Sequence, residues 1–218
     1  MNKKHQTEDK LMTVYYKAVD FFEKNKKHLY IALSIVVIII AGMVFLNNKR
    51  TADNEKAAVE LSKIKDIYGS GNYQQAINGD SLGISKGLQN LVNEYGSTET
   101  GQAAKIMLAN SYYNLRDFDN AEKYYKDYSG GNKLLEVASD AGEASVSEAK
   151  GNYEQAAKQF EKAANMDKSN PFVDQYLYYA AKNYYRANNY SESKKKLDKL
   201  KSEFPKSKYN LESEKFKV

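Results

Sequence analysis

The sequence contains no cysteine and no tryptophan, only two prolines, and two histidines, His5 and His28. Without cysteine the chain cannot form disulfides, thiolate nucleophiles or cysteine-ligated zinc and iron–sulfur sites. Beyond residue 28 it also lacks the residue that most often serves as a neutral-pH base or a metal ligand. The glycine motifs that cradle phosphates, G-x-x-x-x-G-K-[ST] and G-x-G-x-x-G, do not occur. We therefore expect no enzymatic activity, no cofactor and no metal site.

Positive charge is concentrated at the two ends of a chain whose net charge is +5. Residues 1–28 carry a net charge of +3, residues 47–193 a net −3, and residues 194–218 a net +5. Because no basic face follows the whole chain, we do not expect nucleic acid as a partner. With no enzymatic chemistry expected, we expect no small-molecule substrate either. The Lys-rich end is either a solvated helix face or a contact for anionic lipid or an acidic partner.

Residues 29–46, LYIALSIVVIIIAGMVFL, form a run of 18 residues without a charged side chain. As a helix this run is about 27 Å long, close to the hydrocarbon thickness of about 30 Å in a membrane. Cleaved signal peptides have a shorter apolar region, about 7–15 residues, followed by a small-x-small site that is missing here. The run therefore predicts an uncleaved transmembrane helix.

The segments on either side of this run favour one orientation. The tail 1–28 is short and cationic and should remain in the cytoplasm, whereas a long domain can be translocated largely regardless of its charge. The sequence thus predicts a single-pass protein of the inner (cytoplasmic) membrane, with a periplasmic or other extracytoplasmic C-terminal domain.

The tail before the run is itself patterned. Its residues Leu11, Val14, Tyr15, Ala18 and Phe22 recur at helical spacing, which predicts an amphipathic helix. This helix is either an interfacial or partner-docking segment or a plain helical extension of the anchor. After the anchor, the polar residues 47–56 are predicted to form a linker.

The remaining residues contain a repeated pattern. Segments 108–128, 143–163 and 180–200 each have a small residue, an aromatic nine positions later, a small residue three further on and a large apolar residue after four more. The residues are Ala109, Phe118, Ala121 and Tyr125, then Ala144, Tyr153, Ala156 and Phe160, then Ala181, Tyr190, Ser193 and Leu197. The period is 35 and then 37 residues between the second small positions.

This spacing is typical of stacked helix hairpins. Small residues allow two helix backbones to cross closely, the aromatic begins the second helix, and the large residue packs on the next hairpin. Turn residues precede each aromatic. An ordinary helical bundle needs apolar periodicity but not the same offsets three times. We therefore predict an all-α protein, a transmembrane helix followed by an α-solenoid of about four hairpins over residues 57–218.

The ends of the array depart from the pattern. The segment Gly71–Ala76 carries the turn, aromatic and small residues of a first hairpin, but glycines near 77–86 break its second helix, which residues 87–95 resume. This insertion is either a functional loop or a spacer. Residues 207–218 are predicted to form a short capping helix.

The repeated pattern resembles the tetratricopeptide repeat, whose period is 34 residues. The resemblance covers about residues 57–210 and includes a late proline at Pro205, although the tryptophan of the family's first helix is missing. It implies that protein partners bind the face lined by the first helix of each repeat. The residues carried over to that face are Asn110, Tyr113 and Asn114, then Ala141, Ser145 and Glu148, then Tyr178, Lys182, Tyr185 and Arg186.

These side chains suit an extended peptide, because tyrosine offers area and the amides and cations offer hydrogen bonds. Each tyrosine can instead pack between repeats. The family's clamp for a C-terminal carboxylate is not predicted, since only Asn110 falls at a matching position.

The layout of a short tail, one span and extracytoplasmic repeats resembles the ancillary subunit family of the SecYEG translocon. That resemblance implies a chaperone-like role, with the translocon, its chaperones or unfolded polypeptide as partners. The alternative is a scaffold for cell-envelope assembly or cell division. Residues 204–209 and 95–98 resemble repeat ends of such envelope proteins.

Overall fold

A computed structural model describes residues 3–80 and 83–216, with side chains from residue 12 onward. Over these residues the chain forms ten α-helices and no strand. The helices are α1 (Lys3–Gly69), α2 (Tyr73–Asn78), α3 (Gly87–Tyr95), α4 (Glu99–Asn114), α5 (Phe118–Lys126), α6 (Lys133–Ala149), α7 (Tyr153–Met166), α8 (Val173–Arg186), α9 (Tyr190–Glu203) and α10 (Tyr209–Ser213). The all-α prediction is confirmed. The chain divides into two compact units, Met1–Thr51 and Ala52–Val218.

The first unit consists of the larger part of α1. Its apolar run is exposed along its length, and the side chains of Ile38 and Phe45 are each 69% exposed. By length and composition this helix is a candidate membrane span. Residues 47–56, the predicted linker, are helical and continue α1. They contain neither glycine nor proline, so nothing in this segment interrupts the helix.

The second unit is built from hairpins in which α4 packs on α5, α6 on α7 and α8 on α9. The last part of α1 and α2 form the first hairpin. In this part of α1, Ala57, Leu61 and Ile64 recur on one buried face. α6 lies at the centre, since its Val146 belongs to one apolar core cluster and its Val137 to another.

The repeated pattern of the sequence is confirmed position by position. Its small residues are completely buried, and its large apolar residues are at most 6% exposed. The aromatic residues are the first residues of α5, α7 and α9, and Tyr73 is the first residue of α2. Small side chains at the helix crossings therefore allow the close approach of backbones that the hairpins require.

The four hairpin turns of the described chain share one backbone geometry. The second residue after the end of each first helix has a positive φ, between 61° and 80°, at Gly71, Arg116, Gly151 and Asn188. The N–H of Gly151 donates to the carbonyl of Glu148, and the next N–H, of Asn152, donates to that of Ser147. This hydrogen-bond pair is the Schellman motif, and equivalent pairs occur in the other three turns. It satisfies the last carbonyls of each first helix.

The second helix of the first hairpin is interrupted, as predicted. Between α2 and α3, the carboxylate of Asp80 accepts hydrogen bonds from the N–H groups of Ile84 and Ser85. Gly79 and Gly87 both have positive φ, and a Cβ at either would approach backbone atoms to within 2.4 Å. The insertion is therefore a compact loop at both of its ends. Two residues of the predicted insertion, Ser81 and Leu82, lie outside the described residues.

The helix α10 closes the array in place of a further hairpin. The ring of Tyr209 stacks on that of Tyr178 with centroids 5.0 Å apart, and the hydroxyl of Ser207 donates to Asp174 over 2.7 Å. The predicted capping helix is thus present but short, ending at Ser213. Residues 217 and 218 of that prediction lie outside the described part.

Candidate protein-binding surface

Glu148 on α6 is the centre of a charged network on the first helices of the last two hairpins. Its carboxylate lies 2.6 Å from Lys182 Nζ and 2.8 Å from Arg186 Nη1. The Nδ2 of Asn183, a fully buried residue, donates to it over 2.9 Å. One carboxylate therefore fixes three donors at the i, i+1 and i+4 positions of α8. The two cations outnumber the single carboxylate, so the network has a net charge of +1.

Two aromatic rings orient the cations further. The guanidinium of Arg186 lies 5.3 Å from the centroid of the Tyr153 ring, and Lys182 Nζ lies 5.4 Å from that of Tyr179. These are cation–π distances. Lys182 and Arg186 are therefore held in place before a partner arrives, and their side chains remain 25% and 44% exposed.

Tyr113 on α4 lies next to this network. It is partly buried, packs against the first core cluster and sits 5.7 Å from the ring of Phe118. Burial raises the pKa of the Tyr113 hydroxyl, and the negative charge of Glu148 raises it further. The hydroxyl therefore stays protonated at neutral pH and can donate a hydrogen bond.

A shallow cleft adjoins Tyr113. Its walls also include Asn114, Arg116, Phe118 and Ala149. Asn114 is exposed, and its amide nitrogen donates to the backbone carbonyl of Asn110 over 2.7 Å, so its side-chain oxygen is left as the acceptor for a partner. The cleft thus combines hydrogen-bond donors from Tyr113 and Arg116, an acceptor from Asn114 and aromatic ring surface.

Asn110, predicted for the same surface, is engaged inside the array. The hydroxyl of Tyr125, from α5, donates to its side-chain oxygen. Tyr125 is 3% exposed, and burial raises the pKa of its hydroxyl well above the usual value. The Asn110 side chain therefore stabilises packing in this structure.

Tyr178, which is buried, and Tyr185, which is partly buried, also pack against other aromatic residues. Tyr178 is 7% exposed and lies against Tyr209 and Phe216, and Tyr185 lies 5.2 Å from Phe216. The sequence allowed each tyrosine either to face a partner or to pack within the protein. In this structure both tyrosines pack against the C-terminal segment.

The third hairpin contributes little besides Glu148. Ala141 is buried, and the hydroxyl of Ser145 donates to its carbonyl over 2.9 Å. Sequence reasoning missed Asn183, Tyr153 and Tyr179. A signal was present for Asn183, which follows Glu148 by 35 residues, one repeat period, and lies beside the oppositely charged Lys182.

Comparison with known families agrees with this architecture. The profile of a tetratricopeptide repeat-like domain matches residues 19–173, a range that includes the apolar run, and that of a tetratricopeptide repeat matches residues 175–207. No curated protein and no solved structure matches the chain. Tetratricopeptide repeats are scaffolds for protein–protein interaction and typically have no catalytic role. Since the first profile covers more than half of the sequence, the chain belongs to the tetratricopeptide repeat-like domain family.

Proposed function

We propose that this protein is a membrane-anchored, chaperone-like scaffold that binds extended segments of other proteins outside the cytoplasm, beside the protein-export translocon. The binding surface consists of Tyr113, Asn114, Glu148, Lys182 and Arg186, hereafter the α4–α6–α8 surface. The observation that carries the proposal is the network in which Glu148 holds Lys182 and Arg186 in fixed, half-exposed positions.

The chemistry of the surface suits a polypeptide main chain. Tyr113 supplies ring area and a protonated hydroxyl, and Asn114 supplies an exposed amide oxygen for backbone N–H groups. The cations can donate to backbone carbonyls or to an acidic side chain. Because Glu148 and the neighbouring rings already order these groups, a partner loses less side-chain entropy on binding.

The location rests on the anchor. The apolar run is long enough to cross a membrane, and the cationic tail before it favours a cytoplasmic N-terminus. The part of the proposal that concerns the translocon is supported by the resemblance in layout alone: a short tail, one span and repeats on the far side.

Photocrosslinking from the membrane-bound protein tests the proposal. A photoreactive amino acid replaces Tyr113 on the surface or, as a matched control, Lys158, which is 65% exposed on the second helix α7. We expect the Tyr113 position to give adducts with radiolabelled, newly exported polypeptides and with translocon subunits, at several times the control yield. Equal yields at both positions, or adducts with cytoplasmic proteins only, would contradict it.

A further inference from the structure

The cytoplasmic tail carries an apolar surface that no described residue covers. Between residues 12 and 22, the large side chains of α1 are exposed, from 38% at Val19 to 65% at Val14. Tyr15, Tyr16 and Phe21 are each at least 60% exposed. Exposed aromatic side chains at this density are unfavourable in water and indicate a surface that is covered in the membrane-bound protein.

The polar residues of this segment form one narrow stripe. At about 100° per residue, Thr13, Lys17 and Asp20 fall within an arc of about 60°, and apolar side chains occupy the rest of the circumference. A seam between two helices needs only a narrow apolar stripe. An apolar face this wide needs an environment that covers most of the circumference, and a helix in a lipid interface buries its apolar face while its polar stripe faces water.

The flanking charges point to the same environment. Residues 23–28 carry Lys24, Lys26 and Lys27, and the polar stripe carries Lys17. Lysines at the cytoplasmic surface of a membrane are attracted to anionic headgroups, and residues 12–28 keep a net charge of +2 after Asp20 and Glu23 are counted. Although Lys24 pairs with Asp20 at 2.8 Å, both partners are more than 60% exposed, so the pair can exchange for a headgroup.

The apolar face of the tail is continuous with the start of the membrane span. The ring of Phe22 meets that of Tyr30 edge to face, with centroids 6.4 Å apart. If α1 stayed straight through the membrane, Phe22 would stand about 10 Å and Met12 about 26 Å beyond Leu29, in water. Residues 12–22 reach the membrane surface only if α1, which is continuous in this structure, bends within the polar segment 23–28 when the protein is in a membrane.

We propose that residues 12–22 form an interfacial helix bound to anionic lipid at the cytoplasmic face of the membrane. The proposal rests on the membrane span of the proposed function and concerns a different segment. The apolar face of residues 12–22 is covered by the lipid headgroup region. This contact would fix the depth and rotation of the anchor in the membrane. Every large apolar side chain of the segment is then removed from water without a protein partner.

The absence of tryptophan from the chain allows a clean test, because any single introduced tryptophan is the only one. The full chain is placed in nanodiscs of zwitterionic lipid with about a quarter anionic lipid, prepared with or without brominated acyl chains. Three variants are compared: Phe22→Trp on the apolar face, Lys17→Trp on the polar stripe and Val37→Trp within the span. Quenching by brominated lipid and by aqueous acrylamide is measured for each.

We expect brominated lipid to quench Phe22→Trp at least threefold more than Lys17→Trp, and acrylamide to show the reverse order. Replacing the anionic lipid with zwitterionic lipid should reduce the lipid quenching of Phe22→Trp. If both tail variants are quenched only by acrylamide, or if Phe22→Trp escapes both quenchers as in a contact between two copies, the proposal is wrong. If brominated lipid does not quench Val37→Trp, residues 29–46 do not span the membrane, and both the proposed anchor and the interfacial helix are wrong.

Discussion

Two contacts between successive hairpins of the repeat domain differ in chemistry, and each lies beside an apolar core cluster. In the joint between the second and third hairpins, the Tyr125 ring lies over Gly142, and the hydroxyl of Ser139 donates to the Tyr125 carbonyl. In the joint between the third and fourth, Glu148 of α6 binds Lys182 and Arg186 of α8. We call these the Tyr125 joint and the Glu148 joint. Tyr125 is buried between two hairpins, whereas Lys182 and Arg186 remain partly exposed to solvent.

The difference follows from burial. Tyr125 is 3% exposed, so the Tyr125 joint gains stability from apolar contact, whereas the Glu148 joint is partly open to water, which weakens ion pairs. A binding surface must remain accessible, and only the second joint does so. We therefore expect substitutions at the first joint to change mainly stability, and those at the second to change mainly binding.

The largest effect is expected for Tyr125→Ala. It removes a buried ring, leaves a cavity above Gly142 and leaves the side-chain oxygen of Asn110 without its donor. The free energy of unfolding should fall by about 3–5 kcal/mol, measured by urea denaturation of the full chain in nanodiscs. Tyr125→Phe keeps the ring and should cost only about 1 kcal/mol. A loss below about 1.5 kcal/mol for Tyr125→Ala would show that the ring does not hold the joint.

Gly142→Ala alters the same joint on the side of α6. A Cβ at Gly142 would lie 2.2 Å from the Tyr125 ring, so the ring or the helix must shift. We expect a net loss of about 1–2 kcal/mol, since overpacking costs about 1–3 and alanine regains up to about 1 in helix propensity. Gly131→Ala, in the loop between α5 and α6, is the control for a glycine replaced without crowding, because nothing lies within 4 Å of its added Cβ. Equal stability of the two variants would contradict close packing at Gly142.

Glu148→Ala should break the Glu148 joint at a smaller cost. It leaves Lys182 and Arg186 as neighbouring cations without their counter-charge, while Asn183 Nδ2 keeps its bond to the Tyr179 carbonyl. Because both cations are partly exposed, we expect a loss of about 1–2 kcal/mol in the same urea assay.

The loss of order at the α4–α6–α8 surface should reduce photocrosslinking from the Tyr113 position several-fold. Glu148→Gln, which keeps an acceptor for Asn183, should lie between Glu148→Ala and the unaltered protein in both assays. If crosslinking is unchanged in Glu148→Ala, the charged network around Glu148 does not contribute to partner binding.

The smallest effect on stability is expected for Lys182→Met. The substitution keeps the aliphatic stem and leaves Glu148 with Arg186 and Asn183, so unfolding should change by less than about 0.5 kcal/mol. It reduces the net charge of the network from +1 to zero, so crosslinking should become less sensitive to salt. Lys158→Met, which removes an exposed pair with Glu154 on α7, is the control. An identical salt response in the two variants would mean that the network charge does not contribute.

Local sequence signals predicted most of the hairpin geometry. The offsets from Ala109 to Tyr125 were informative because a helix crossing admits only small residues and a turn of fixed length sets where the next helix begins. Asn and Asp after the left-handed residue of the turn cap the second helices, as their side chains do at Asp117 and Asn189. Such features depend on neighbours within one repeat.

Contacts between distant segments could not be read in the same way. Tyr178 and Tyr185 pack against Tyr209 and Phe216 in the C-terminal segment, about 30 residues away. No periodic pattern in the sequence predicts these contacts. The helical state of residues 47–56 likewise follows from the continuation of α1 on both sides of a polar segment. Composition predicted a linker there but not its conformation, because polarity does not distinguish an exposed helix from an irregular chain.

The measurement that tests the account most directly is the side of the membrane on which the repeats lie. The chain has no cysteine, so single-cysteine variants report unambiguously: Gln155→Cys on the exposed face of α7 and Thr13→Cys in the tail. In sealed, right-side-out membranes, a membrane-impermeant maleimide should label Gln155→Cys at once and Thr13→Cys only after the membrane is opened. Labelling of Thr13→Cys but not Gln155→Cys in sealed membranes would place the repeats in the cytoplasm and contradict a scaffold that binds exported proteins.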